Sequence, residues 1–593
     1  MERTRPQHPR PATRRQPRPL RPAVGVIVTL VALALAAPEG DAQLGLTGRA
    51  QVRGGGQPGG PRILLPTRKS TGTTSRVRTL HANGTEVGRY DVATGNEYFL
   101  DDVDVVRARG KALLLTYDAL GATGHFTVLR ASDCALVVRH DFAGGEHPVL
   151  GVDPVATPDA RYAAVLTQEV VGGRVRLYDL DADVLVDSYP LPGNEVPLEQ
   201  LDPVFTPLGD KLLVPTYDSG GATGHLRIFD VPALTLHGVV DLDLAEHPVQ
   251  GVDVLVTPDG ATAVLATYDA LGASGAVHFV DIPSATIRDT YDLMGNEHPV
   301  DDVDPVLSPD AARVALPVYQ GNGASGRVVV LDVASGTLDW DHPFQLNEYP
   351  LEAVDAVFSP DGSRLVVPTY ESLLARGRLH ILDTVTGAEL FEHVFDANEY
   401  PIVELDPVFT PDGSRLLLPT YDAVGATSHL RVFSMPGGTA MVKVPMAANE
   451  YPVEGVDVVV SGDSRKAYLA TYQAVGATGR VRILDVASAT FTAEVPFDAN
   501  EYPVEGCDLV VAGNRVLVPT YRAFGATGRL RILSVVSDAV IGQFDYDANE
   551  FPMPGVDVLS LAGPAPDPDE DFHDTGAVPP VPPPPPPPPP PII

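Results

Sequence analysis

An all-β propeller of ten four-stranded blades is the fold this sequence predicts. Three observations carry the expectation: a marker that returns every 49 or 51 residues, four β-rich runs between successive markers, and an array whose two ends hold complementary pieces of one unit. The marker is a Val-Asp or closely similar pair, which puts Asp104, Asp153, Asp202, Asp253, Asp304, Asp355, Asp406, Asp457, Asp508 and Asp557 in register. Within one unit the runs are Val456 to Val460, Ala467 to Tyr472, Val481 to Leu484 after the turn Gly476-Ala477-Thr478-Gly479, and a variable fourth run ending near Phe497. Each is short, β-rich and bounded by Gly, Pro, Asp or Asn, the punctuation of strands. Helical repeats of similar length need long apolar stripes at helical spacing, and the chain has none.

The ends of the array complete the case. Residues 61–95 contain Arg62 to Thr67 and Arg76 to Arg78, which match strands two and three of the repeat with no first strand before them. The missing strand stands at Val556-Asp557-Val558-Leu559, and pairing it into the first blade closes the circle and covers a sheet edge open to aggregation. No linker interrupts the spacing at the midpoint, which favours a single ring over the alternative of two five-bladed propellers.

The turns Ser359-Pro360-Asp361-Gly362-Ser363-Arg364-Leu365 and Thr410-Pro411-Asp412-Gly413-Ser414-Arg415-Leu416, each followed by an apolar strand ending in Asp, resemble those of bacterial surface-layer-type propeller repeats, the YVTN family. The unit here is longer and lacks the Tyr-Val-Thr-Asn signature, so the resemblance implies a fold and an extracytoplasmic setting and no activity.

The flanks differ in kind from the array. Residues 1–42 read as a signal peptide: seven Arg and no Lys in the first 22 positions precede an apolar run from Ala23 to Ala37, and Gly40 with Ala42 offers a cleavage position that starts the mature chain near Gln43. The run, about 15 residues, is short of the roughly 20 that span a bilayer as a helix. The mature chain is therefore expected to carry no membrane span and to be secreted or extracytoplasmic, in the periplasm or at the cell surface. Residues 43–60 read as a linker and 61–560 as the ring. The segment 561–593 is acidic at Asp567, Asp569, Glu570, Asp571 and Asp574 and then carries ten prolines at 582–591, a polyproline II rod suited to a spacer or a docking strip.

A formal charge of -35, from 77 acidic against 42 basic residues, repels phosphate backbones and anionic headgroups, which excludes nucleic acid as a partner and favours cations or basic protein surfaces. Cys134 and Cys507 are the only cysteines and fall two blades apart, so no bridge is expected.

Seven residues before the markers stand Glu97, Glu146, Glu195, Glu246, Glu297, Glu348, Glu399, Glu450, Glu501 and Glu550, mostly within Asn-Glu-Tyr-Pro or Asn-Glu-His-Pro. The loop carrying them and the Tyr-Asp-Ala-x-Gly-Ala-Thr-Gly hairpin fall on the same face of a propeller. These glutamates and Tyr349, Tyr400, Tyr451 and Tyr502 are accordingly the ligand-face candidates, with the marker aspartates structural. Two rings of carboxylates must be neutralised. Arg174, Arg176, Arg227, Arg431, Arg480, Arg482, Arg529 and Arg531, at the start of strand three, supply one route through ion pairs. Ca2+ held by Glu, Asp and carbonyl oxygens is the other, weakened by the lack of an Asp-x-Asp-x-Asp loop, so no cofactor is expected and metal ligands are left unassigned.

His147, His247 and His298 take the place of tyrosine in their units, which favours packing or hydrogen bonding over metal ligation. Trp340, on an outer strand, reads as packing. The repeat breaks at Gln168 and Glu169 and again from Glu371 to Arg376, where unlike groups could converge for catalysis. There is no Gly-x-Ser-x-Gly elbow, His-Glu-x-x-His helix or phosphate-cradling glycine loop. The expected function is an exported noncatalytic binding or scaffold propeller that presents an acidic and aromatic face to a protein, a glycan or cations. The alternatives are a propeller hydrolase or lactonase with a metal near the channel mouth, and a structural envelope or surface component.

Overall fold

The second strand of each unit is buried along successive residues, as in Arg415–Asp422, because both of its faces pack against neighbouring blades. The outermost strand, as in Thr286–Asp292, alternates between exposed and half-buried positions, because only one face has a neighbour. The structure, a computed structural model, describes residues 62–69, 74–92, 97–100, 103, 105–118, 123–218, 220, 223–269, 274–321, 325–424, 427–435, 437–438, 441–474, 478–523, 527–553 and 558–560. The expected signal peptide, linker and proline tail lie outside the described residues, as do Asp104 and Asp557. The described residues contain no helix, and hence none long and apolar enough to cross a membrane.

Ten antiparallel sheets make up the ring. Blade 1 combines Arg62–Lys69, Thr74–His81 and Glu86–Asp91 with Glu550–Pro552 and Leu559–Ser560. Blades 2 to 10 then occupy 97–141, 147–190, 195–241, 246–292, 297–343, 348–394, 399–445, 450–496 and 501–545. In each blade the innermost strand is split in two: in blade 8, Glu399–Pro401 and Val408–Phe409 pair with opposite ends of Arg415–Asp422. The split explains a proline in the middle of the second strand, Pro419 in blade 8. At the equivalent position of blade 9 the Ala470 carbonyl turns inward to accept the Val453 N–H, so the missing N–H of Pro419 faces the gap between the two pieces and costs no ladder bond.

Ten apolar cores join each blade to the next. Ala315 of blade 6 packs toward blade 7 while its neighbours Val314 and Leu316 pack toward blade 5, the alternation expected of a strand with two buried faces. Blades 10 and 1 share Leu517, Leu530, Ile532 and Tyr546 with Ile63, Leu65, Leu80 and Val558. Blades 1 and 2 share Leu64, Val77, Met553 and Leu559 with Ala112, Leu114 and Leu129. Closure is thus by the C-terminal strand, the ring is single, and two five-bladed rings are excluded.

One element differs from its sequence expectation. Glu-Tyr-Pro, read as a loop, is the first piece of the innermost strand, in register with the end of strand two: Glu399 opposes Asp422 and Tyr400 opposes Tyr421. The preceding Asn supplies the turn, with φ of 65° at both Asn347 and Asn398, a left-handed backbone that Asn tolerates. Both cysteines are buried and not joined in a disulfide; the Cys507 thiol meets the Met553 carbonyl and Cys134 meets the Thr79 hydroxyl. Trp340 is buried and donates its indole N–H to the Thr384 carbonyl of the next blade at 2.9 Å.

Candidate functional site

The glutamates sit one layer below the face, buried between strands. Glu399 is 0% exposed: Oε1 accepts from Thr420 Oγ1 at 2.6 Å and Arg431 Nε at 2.8 Å, and Oε2 accepts from Arg431 Nη2 at 2.7 Å and Lys443 Nζ at 2.8 Å. The same assembly repeats with Thr520 and Arg531 on Glu501, and with Thr167 and Arg176 on Glu146. It recurs with Thr471 and Arg482 on Glu450, and with Thr216 and Arg227 on Glu195. Glu97 takes Thr116 and Arg139, Glu297 takes Arg327, and Glu550 takes Arg76, Arg78 and Thr67. In blades 5 and 7 histidine replaces the arginine: His278 Nε2 lies 2.6 Å from Glu246 and His380 Nε2 2.6 Å from Glu348.

Of the arginines singled out from sequence, Arg174, Arg480 and Arg529 instead reach first to Glu169, Glu494 and Asp545. The threonine partners were missed, although Thr stands in nine of the ten second strands, with Val318 in blade 6, and was legible as part of the repeat. The glutamate oxygens are taken by N–H and O–H donors, which a cation would have to displace.

The described marker aspartates, Asp153 to Asp508, form a chain of hydrogen bonds along the innermost strands. The Asp153 N–H donates to Asp202 Oδ1 at 2.7 Å, and the same bond links Asp202 to Asp253, Asp253 to Asp304, Asp304 to Asp355, Asp355 to Asp406, Asp406 to Asp457 and Asp457 to Asp508. Each carboxylate is therefore tied to the backbone of the blade before it, which places the negative charges at fixed stations along those strands.

Above the glutamates lies a belt of half-buried rings. It runs from Tyr217 through His247, Tyr268, His298, Tyr319, Tyr349, Tyr370, Tyr400, Tyr421 and Tyr451 to Tyr472, with centroids 5.4–5.8 Å apart and mostly edge to face. Contacts within a blade alternate with contacts between blades, because one ring comes from the innermost strand and the next from strand two. Such edge contacts each contribute about 0.5–1.5 kcal/mol beyond area burial. Tyr502 and Tyr521 form a separate stacked pair at 5.5 Å. His147, His247 and His298 each place Nδ1 3.0–3.1 Å from the carbonyl of the following proline. Burial, with the phenols of Tyr421 and Tyr370 and the Asp422 carboxylate nearby, pushes the Tyr400 phenol up to about 12, so the ring stays neutral.

No family model matches the chain, and no curated protein is similar to it. Among solved structures it is similar to the propeller of Dos1, at 10% identity and a TM-score of 0.37 over 64% of this chain and 92% of that one. It is similar to the dihydro-heme d1 dehydrogenase NirN in complex with DHE, at 18% identity and 0.36 over 68% and 75%. It is also similar to apo AztD from Citrobacter koseri, at 10% identity and 0.33 over 66% and 96%. At these scores none carries an argument about function.

The belt breaks where the repeat breaks. In blades 3 and 4, Gln168 and Val196 stand at the ring positions and line a cleft of about 200 Å³ with Pro197, Leu198, Glu199 and Gln250. In blade 1, Arg68 opposes Phe551, and its guanidinium lies 5.2 Å from the Tyr98 ring. The break from Glu371 to Arg376 is filled by ion pairs, with Glu371 held by Arg376 at 2.9 Å and Arg378 at 2.8 Å. Between the belt and the aspartate chain, blades 6 to 10 supply Asp301, Asp302, Glu352, Glu404, Glu454 and Glu505, while blades 3 to 5 supply one carboxylate there, Glu199. Burial and the charge of Glu404 raise the Glu505 carboxyl above its ordinary value.

The buried glutamates fix the acid limit of the fold. Burial alone would raise the Glu399 carboxyl, but hydrogen bonds from Arg431, Lys443 and Thr420 outweigh it and hold the group at about 2 against an ordinary 4.5. Glu246 is likewise held at about 2, and Glu146, Glu348, Glu450, Glu501 and Glu550 are all lowered. A depressed carboxyl stabilises the fold above its unfolded value, and that contribution is lost as pH falls toward the folded one. The thermal midpoint is therefore expected to drop steeply between about pH 4.5 and 2, even though mild acidification relieves the net negative charge. Calorimetric melts across that range check it, and a midpoint unchanged down to the lower limit would show that the pairs contribute little.

Proposed function

We propose that the ring is the noncatalytic binding module of an exported protein, and that its aromatic face takes a basic segment of a partner protein at the channel mouth. The observation that carries this reading is the unbroken belt from Tyr217 to Tyr472 set above an arc of carboxylates. Tyrosine faces attract guanidinium and ammonium groups, and the carboxylates below add a field that draws cations inward. Loop tips on the same face expose Leu244, Met294, Leu346, Leu373 and Val424, apolar area suited to a protein partner. Export rests on the N-terminal signal pattern, and the Pro-Asp-Gly turns that resemble surface-layer repeats support the same setting.

The test is calorimetric titration of the full chain with short Arg- and Lys-rich peptides, and in parallel with neutral oligosaccharides. Saturable peptide binding that weakens with salt and falls about tenfold or more in a Tyr400→Ala, Tyr451→Ala double variant is the expected result. Binding of the oligosaccharide without the peptide would replace the partner class, and binding of neither would overturn the reading.

A further inference from the structure

Three departures from the repeat meet at one point, in the groove between blades 6 and 7. His380 stands where Arg227, Arg431 and Arg482 stand in other blades, 32 residues after the glutamate each of them contacts. Glu389 opposes Leu382 in the register where Leu338, Ile287 and Phe491 are found elsewhere. His342 opposes Val328 where Val240, Val444 and Val495 are found. Each change has a precedent in the ring, with His278 at the arginine position, Glu86 opposite Leu80, and His140 and His393 at the His342 position, but among the described residues only here do all three meet.

Their ligand atoms converge. His380 Nδ1 lies 2.7 Å from Glu389 Oε1, His342 Nε2 lies 3.8 Å from the same oxygen, and all three ligand atoms are within 4.8 Å of one another. The other nitrogen of His380 is 2.6 Å from Glu348, itself fixed by Thr369, so the ring is aimed from behind by a buried carboxylate, as metal-bound histidines commonly are. Phe344 stacks on His380 at 5.3 Å and walls one side. His380 is 3% exposed while Glu389 is 34% exposed, which leaves the outer side open to water. Among the described residues no other group of three such side chains is placed this way. The comparison within the ring is instructive, for His393 occupies the His342 position one blade on but meets Arg431 at 2.9 Å, a cation instead of a second ligand.

We propose that His342, His380 and Glu389 bind a first-row transition metal ion of the Zn2+ type, with water completing the coordination. Two neutral imidazoles and one carboxylate with an open position suit Zn2+ and its neighbours in the series and do not suit Ca2+ or Mg2+, which take oxygen ligands. Binding removes the proton between His380 Nδ1 and Glu389 and releases it to solvent, the metal taking its place between the two groups.

The test is calorimetric titration of Zn2+ into the chelator-treated, dialysed full chain with excess Mg2+ present to occupy weak surface carboxylates, and visible absorption after Co2+ titration. One saturable equivalent with tetrahedral Co2+ bands is expected. An outer-shell partner alone is worth about 10–100-fold, so His342→Ala and Glu389→Gln should each weaken binding by about 100-fold or more. His380→Arg restores the residue common in this repeat, keeps a partner for Glu348, and should abolish binding in a folded chain. His393→Ala should leave it unchanged. Absence of a saturable equivalent overturns the proposal and leaves an imidazolium bridging two carboxylates, and so does binding that survives both His342→Ala and Glu389→Gln.

Discussion

A chain ended at Asp545 is expected to lose its cooperative thermal transition and to associate, whereas one ended at Ser560 unfolds sharply as a single compact species. The shorter chain lacks Glu550–Pro552 and Leu559–Ser560, so the eight-residue strand Arg62–Lys69 becomes an open edge. It also loses Tyr546, Val558, Met553 and Leu559 from the cores on both sides of blade 1. Each such side chain contributes about 1.5–3 kcal/mol. Arg78, 0% exposed, loses Glu550, and stranding a buried charge costs about 3–5 kcal/mol more. The total, on the order of 10 kcal/mol, is comparable with the whole stability of a typical domain. Circular dichroism melts and size-exclusion chromatography of the two chains decide the matter. An equally sharp transition in the shorter one would mean that the ring does not depend on its seam.

Replacing Glu399 with Ala is expected to lower stability by about 3–5 kcal/mol, because Arg431, 2% exposed, and Lys443 would face each other with only the solvent-exposed Asp396 left as a shared counter-ion. Replacing Glu399 and Arg431 together by Met should recover most of the loss, since a buried pair and a well-packed apolar pair are often nearly equal. Urea midpoints of the two single variants and the double variant, taken with unchanged slopes, give the coupling energy. A single variant that costs less than about 1 kcal/mol would show that water reaches the site and that the apparent burial is not maintained in solution.

Much of this was written in the repeat. The marker aspartates and the glutamates gave ten units, and the unpartnered strands at 62–69 and 74–81 required a piece from the far end, which Leu559 supplies against Leu64. The Glu-Tyr-Pro segment was misread as a loop because Asn and Pro are turn formers. An innermost strand is an edge of its sheet, and Pro401 closes a three-residue piece of it, so its missing N–H interrupts no ladder. The pairing of glutamate with strand-three arginine was legible, but its extension to His278 and His380 was not, since histidine at those positions breaks the pattern that made the arginines visible. The groove cluster left no trace in spacing: His342 and His380 are 38 residues apart and belong to different blades, so only the packing of one sheet on the next brings them together.

The seam has a directional consequence. Along Arg62–Lys69 the aromatic end is marked by Lys69 opposite Glu550, and the far end by Ile63 opposite Ser560. The described chain therefore begins at Arg62 and ends at Ser560 side by side, on the inner strands of blade 1 and at the end opposite the tyrosines. A partner fused directly at Arg62 or at Ser560 would start from that end, away from the wreath of rings.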